Sequence, residues 1–164
     1  MLNRTYAEKL KQAANSKKIV ILLGSRQVGK TTLLKSLFET DSVLWLNADE
    51  LDVQNLFASI SAERFKAYLG KKEIVIIDEA KRINDIALKL KLIADSIPEV
   101  QIFATGSSSF DLAKDQEFER EFTFEFGEAP SQSLLDKVSA VILLHKKNAD
   151  GSSEVNNCAE CAYG

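Results

Sequence analysis

Gly24, Gly29, Lys30 and Thr31 stand in the order Gly-x4-Gly-Lys-Thr within GSRQVGKTT, residues 24–32. That spacing suits a grip on phosphate. Glycines let the backbone turn its N–H groups inward around an anion. A lysine beside them reaches the β and γ oxygens of a nucleoside triphosphate, and the Thr31 hydroxyl can hold Mg²⁺. A helix starting there adds the positive end of its dipole. The stretch Gly24, Ser25, Arg26, Gln27, Val28, Gly29, Lys30, Thr31 and Thr32 is therefore the candidate nucleotide-binding segment. Arg26 has two readings: a contact to phosphate or a neighbouring acid, or a solvent-exposed loop tip.

A second candidate is Asp78-Glu79, which closes the apolar run IVII. An aspartate at a strand end beside a phosphate loop can hold Mg²⁺ through water, and the next glutamate can take a proton from the attacking water. Asp78 thus joins Thr31 as a metal-side residue, and Glu79 is the candidate base. The third candidate is Thr105-Gly-Ser-Ser-Ser, residues 105–109. A hydroxyl there can meet the γ-phosphate or the water, and Ser107 is the first choice. Lys30, Glu79 and Ser107 are the expected catalytic residues, and ATP with Mg²⁺ the expected ligands.

These residues need elements to position them. The run IVILL (19–23) reads as a fully buried strand entering the glycine loop, followed by a helix of about ten residues, TTLLKSLFET. SVLWLNAD (42–49), EIVIIDEA (73–80) and QIFATG (101–106) read as further strands. Residues 50–69 read as one or two helices, and a helix capped by Asn84 or Asp85 carries Ile86, Leu90 and Ile93 inward and ends before Pro98. Nearly all-apolar strands alternating with helices predict a parallel sheet covered on both faces, an α/β three-layer sandwich.

The flanks are less regular. Residues 1–16 predict an N-terminal helix with Tyr6, Leu10 and Ala13 on one side. REFTFEF (120–126) alternates like a half-exposed edge strand and closes a domain over 17–126. In the extension 127–145, SQSLLDKVSAVILL (131–144) fits a helix or a short strand, with the helix preferred. Residues 146–164, small and polar, predict a disordered tail. Its Cys158-x2-Cys161, even with His145, falls short of the four ligands of a structural zinc site.

Composition narrows the function classes. The net charge of −3 and pI near 5.3 argue against direct binding of a nucleic-acid backbone, which needs a basic face. No apolar run reaches the ~20 residues that span a bilayer, so a cytoplasmic protein is expected.

GSRQVGKTT, IIDEA and ATGSSSFDLA together resemble one group: the AAA-like P-loop ATPase domains of archaea and bacteria, whose members carry GPRQVGKTT, IDEAQ and ATGSSS. The resemblance covers about residues 17–126. It implies a P-loop NTPase fold of the AAA+-like class, with an additional strand in the sheet, and ATP in preference to GTP. Ser25 departs from the family's proline and Lys81 from its glutamine. The family's usual TGR turn is lost, although Arg120 falls near its arginine; Arg120 is either a nucleotide-touching arginine or, more simply, a solvated residue before an edge strand. Members also continue into a large C-terminal domain, and a truncation before it is the expectation here. The expected function is Mg²⁺-dependent ATP binding with slow hydrolysis. The alternative is a nucleotide-dependent switch with negligible turnover, acting on a protein partner, a separately encoded C-terminal domain or a second copy of the chain. A small-molecule kinase fits less well, for want of an arginine-rich lid.

Overall fold

The apolar runs form a five-stranded sheet in the computed structural model, which describes residues 4–24, 27–107 and 138–144, with the backbone alone for 4–6 and 138–144. The expectations for 120–126 and 146–164, and those for Ser25, Arg26 and Arg120, lie outside the described residues.

The chain runs α1 (Arg4–Ala13), β1 (Ile19–Gly24), α2 (Lys30–Phe38), β2 (Val43–Asn47), α3 (Leu51–Ala58) and α4 (Ala62–Leu69). It continues with β3 (Ile74–Asp78), one 3-10 turn (Ala80–Arg82), α5 (Ile86–Ser96), β4 (Gln101–Ser107) and β5 (Val138–Leu144). The order across the sheet is β2-β3-β4-β1-β5, and every pairing is parallel. β4 therefore lies between the loop-bearing β1 and the carboxylate-bearing β3. That is the additional strand implied by the resemblance.

Strand periodicity divides the core in two. Ile19, Ile21, Leu23, Val75, Ile77, Ile102 and Ala104 face one side and pack with Val53 and Phe57 of α3, Phe65 and Leu69 of α4, and Leu90 and Ile93 of α5. The alternate residues Val20, Leu22, Ile76 and Phe103 face the other side and pack with Leu10 of α1 and Leu33, Leu34 and Phe38 of α2. Both faces are covered, which is why β1 and β4 need no polar alternation. Aromatic contacts anchor each side: the Phe57 and Phe65 rings lie 6.1 Å apart, and those of Phe38 and Phe103 4.8 Å apart. Full burial of one such ring stabilises by about 1.5–3 kcal/mol.

Two expectations need correction. Residues 138–144 are a strand, whereas the helix was preferred. Val138, Val141 and Ile142 are β-branched and sit in a largely apolar stretch interrupted by Ser139, a pattern shared by buried strands and buried helices until the partner is known. The partner is β1, whose Gly24 aligns with Leu144, with a one-residue bulge opposite Ile19 and Val20. Asp85 does occupy the N-cap position of α5, but its backbone is left-handed (φ 53°) and its side chain makes no capping hydrogen bond. Capping chemistry does appear at Ser61, whose hydroxyl accepts from the Arg64 N–H ahead of α4.

Candidate functional site

Because all pairings are parallel, the carboxyl ends of the strands meet at one edge of the sheet, where ligands bind in open α/β folds. The register is specific. Gly24 aligns with Ser107, Asn47 with Asp78, and Ile77 with Ala104, which brings Asp78 beside Thr105. Asp78 follows Ile76 and Thr105 follows Phe103 at a spacing of two, so both side chains emerge on the α2 face, where Thr31 waits.

The loop between β1 and α2 uses left-handed backbone at Gln27 (φ 63°) and Gly29 (φ 94°). Glycine takes that conformation freely, whereas glutamine is strained in it. Gly29 is the N-cap of α2 and offers no side-chain cap at the positive end of the helix dipole, which favours an anion there. Val28 does not reach outward; it packs against the α2-side core and pins the loop. Lys30 is buried, and its Nζ donates to the Gly24 carbonyl at 2.7 Å, which holds the ammonium across the loop. Thr32 is exposed on the next residue of the helix.

Hydroxyls grip the first carboxylate from two sides. Thr31 Oγ1 donates to Asp78 Oδ2 at 2.7 Å, and Thr105 Oγ1 donates to Asp78 Oδ1 at 2.5 Å. Thr105 is fully buried and also accepts the Glu79 backbone N–H at 3.1 Å. Among the described residues the buried polar side chains are Lys30, Gln101 and Thr105. Gln101 lies at the opposite end of β4, bonded to the Lys18 and Ile102 carbonyls. The other two belong to this site, and a buried polar group is a stronger signal than an exposed one.

Glu79 follows in left-handed backbone (φ 53°), an unusual state for glutamate, and its carboxylate lies 3.5 Å from Ser107 Oγ. Lys81 Nζ donates to the same hydroxyl at 2.9 Å. Arg82 is half-exposed and paired with Asp49 at 2.9 Å.

Lys30, Thr31, Asp78, Glu79 and Ser107 thus gather at one edge. Sequence reasoning chose Ser107 and passed over Thr105, although both lie in ATGSSS; the two-residue step from buried Phe103 was the available signal. It also missed a cleft of about 580 Å³ that opens beside Thr31 and Asp78, lined further by Lys35, Trp45, Asn47 and Glu50. Lys35 Nζ stands 5.6 Å over the Trp45 ring, a cation–π contact across that cleft.

Among the described residues no cluster of three His, Cys, Asp or Glu could hold a metal alone. The oxygen pair Thr31 and Asp78 fits Mg²⁺, which keeps several waters and takes its remaining ligands from substrate phosphates. No helix among the described residues is long and apolar enough to cross a membrane.

Residues 16–125 match the AAA domain family. An uncharacterized protein of Mycobacterium tuberculosis is 31% identical over 111 residues, covering 66% of this chain and 24% of that protein. An uncharacterized protein of Methanocaldococcus jannaschii is 28% identical over 118 residues, covering 65% of this chain and 25% of that one. The chain spans about a quarter of the length of these curated relatives. The Pif1 helicase from Bacteroides in complex with ADP-AlF3 and single-stranded DNA superposes with a TM-score of 0.55 at 19% identity, covering 89% of this chain and 42% of the helicase. For the Pif1 helicase from Candida albicans the TM-score is 0.54 at 15% identity, covering 89% and 40%. At such identities the likeness is one of fold.

Proposed function

Since the chain belongs to the AAA domain family and has its nucleotide-binding NTPase fold, we propose that it binds ATP with Mg²⁺ and hydrolyses it slowly. The observation that carries this reading is the 2.7 Å contact between Thr31 and Asp78, with the Lys30 ammonium held in the adjoining loop. Lys30 and the N–H groups at the start of α2 receive the β- and γ-phosphates. Thr31 and Asp78 hold the metal side. Mg²⁺ there would neutralise charge developing between the β and γ oxygens. Glu79 takes the proton of the attacking water, and Ser107 donates to the γ-phosphate. Phosphoryl transfer needs little covalent help from protein; positioning and electrostatics carry it.

Slow turnover is supported by the described arginine side chains, which are already engaged. Arg82 is engaged by Asp49 and Arg64 by Ser59. An arginine finger contributes roughly 10³–10⁵ in rate where one is supplied. In this reading such a group, and the choice of target, comes from a protein partner, a C-terminal domain of the family's kind, or a second copy of the chain. Single-stranded DNA is bound by the Bacteroides Pif1 helicase; the net charge of −3 here argues against direct binding to a nucleic-acid backbone.

The test is phosphate release by the chain with MgATP and with ATP in excess EDTA. The expected result is metal-dependent turnover at or below about 1 s⁻¹. Tight MgATP binding with no phosphate release would favour the switch instead.

A further inference from the structure

The cleft beside Thr31 and Asp78 carries a chemistry that phosphate binding does not use. Thr31, Lys35 and Glu39 line one wall at four-residue steps along α2, a stripe of about 12 Å at 1.5 Å per residue. Trp45 and Asn47, alternate residues of β2, line the other. Carboxylates from Glu39, Asp41, Glu50 and Asp78 meet there against the single ammonium of Lys35. Asp78 is held by Thr31 and Thr105, whereas among the described residues the other three carboxylates take no hydrogen bond or ion pair. Lys72, the neighbouring cation, donates to the backbone carbonyl of Asp41 and not to its carboxylate. Glu39 is also the C-cap residue of α2, at the negative end of the helix dipole, where a carboxylate is disfavoured and a cation favoured. The cation in place is Lys35, with its Nζ 5.6 Å over the Trp45 ring. The aromatic wall of the cleft therefore already serves a cation, and that cation is the chain's own.

We propose that this cleft is a docking groove for a short basic segment of a protein partner, whose arginine takes the face of Trp45 in place of Lys35 and pairs with Glu39 and Asp41. Arginine suits the groove better than lysine, because a guanidinium stacks flat on an indole and meets a carboxylate with two parallel N–H donors. The volume of about 580 Å³ lies within the ~300–1,000 Å³ of ordinary binding clefts. A stripe of about 12 Å matches about four residues of extended chain at ~3.3 Å each. The same carboxylates repel a phosphate backbone, which disfavours nucleic acid as the occupant. The guanidinium sits on the wall between α2 and β2 and not on a phosphate, so it is a docking contact, separate from any rate-raising arginine. The groove does not depend on the ATP reading, since Lys35, Glu39, Asp41 and Trp45 have no part in it.

Trp45 is the sequence's single tryptophan, so its fluorescence reports the groove directly. The experiment titrates acetyl-Arg-Ala-Arg-amide, and the same peptide with neutral citrulline for arginine, into the full chain at fixed ionic strength. The proteins are wild type, Glu39→Gln/Asp41→Asn, Lys35→Met and Lys66→Met; Lys66 is on α4, across the sheet from the groove. All four replaced side chains are exposed, so the variants spare the core. The arginine peptide should give a saturable change in wild type, at least about tenfold weaker with the citrulline peptide and in Glu39→Gln/Asp41→Asn. Lys35→Met should bind about threefold tighter, because no resident cation has to leave the ring, while Lys66→Met should match wild type. Equal titration by the two peptides would overturn the proposal, and so would a Lys35→Met gain no larger than that of Lys66→Met. An oligothymidylate that titrates Trp45 where the peptide does not would overturn it in favour of nucleic acid. A Trp45 signal that follows protein concentration alone, with a dimer in sedimentation that Glu39→Gln/Asp41→Asn abolishes, would give the groove to a second copy of the chain instead. No arm contains ATP, so a failure here leaves the nucleotide reading standing, and a failure to bind MgATP leaves the groove standing.

Discussion

The two halves of the site are built differently although their carboxylates are adjacent in sequence. Asp78 ends β3, receives Thr31 and Thr105 on its two oxygens, and leans on a fully buried hydroxyl. Glu79 has left the strand, sits in left-handed backbone, and meets Ser107 across 3.5 Å near the exposed Lys81. Both Asp78 oxygens are held by hydroxyls at 2.7 and 2.5 Å; the contact of Glu79 with Ser107, at 3.5 Å, is looser. The β3–β4 pairing explains the first, because its register brings Asp78 beside Thr105. The second follows where the chain leaves the sheet and no ladder constrains it. A preorganised metal position costs no reorganisation during reaction, whereas a base that must meet a water needs room.

The largest expected effect breaks the water half alone. Glu79→Gln keeps the shape and loses the ability to take a proton, so turnover should drop by at least about 10²-fold while MgATP affinity stays within error. Equal turnover in wild type and variant would remove Glu79 as the base. A smaller effect should separate the halves in stability. Thr105→Val removes a buried hydroxyl and leaves Asp78 Oδ1 and the Glu79 N–H without that partner, a loss of about 1–3 kcal/mol in chemical unfolding. The smallest effect belongs to Ser107→Ala, which should shift stability by no more than about 0.5 kcal/mol. A Ser107→Ala loss equal to that of Thr105→Val would mean that the halves are equally built in, and the contrast would fail.

The same contrast governs how much could be read in advance. The placement of Thr31 and Asp78 was legible: the glycine-lysine-threonine spacing, the apolar runs of β1, β3 and β4, and the strand-terminal Asp78 are local patterns that chain physics fixes within a few residues. What escaped needed a partner distant in sequence. The salt bridge of Arg82 joins residues 33 apart. The role of Thr105 depends on β4 lying next to β3, 27 residues from Asp78 in sequence. Residues 138–144 are equally apolar as helix or strand, and pairing with β1 decides it. Asp85 had the right residue type at the right position, yet a left-handed backbone there turns the expected cap away. The Trp45 cleft arises only when β2 takes the edge beside β3 and faces α2.

The central claim is that this edge of the sheet grips a nucleotide through the buried Lys30. It is tested most directly by calorimetric titration of MgATP into wild type and Lys30→Ala, with folding of both verified by circular dichroism. The account predicts that wild type binds and that the variant, folded but without the charge held across the loop at Gly24, binds at least about tenfold more weakly, a loss of ~1.4 kcal/mol. Equal affinity in the two folded proteins would contradict it.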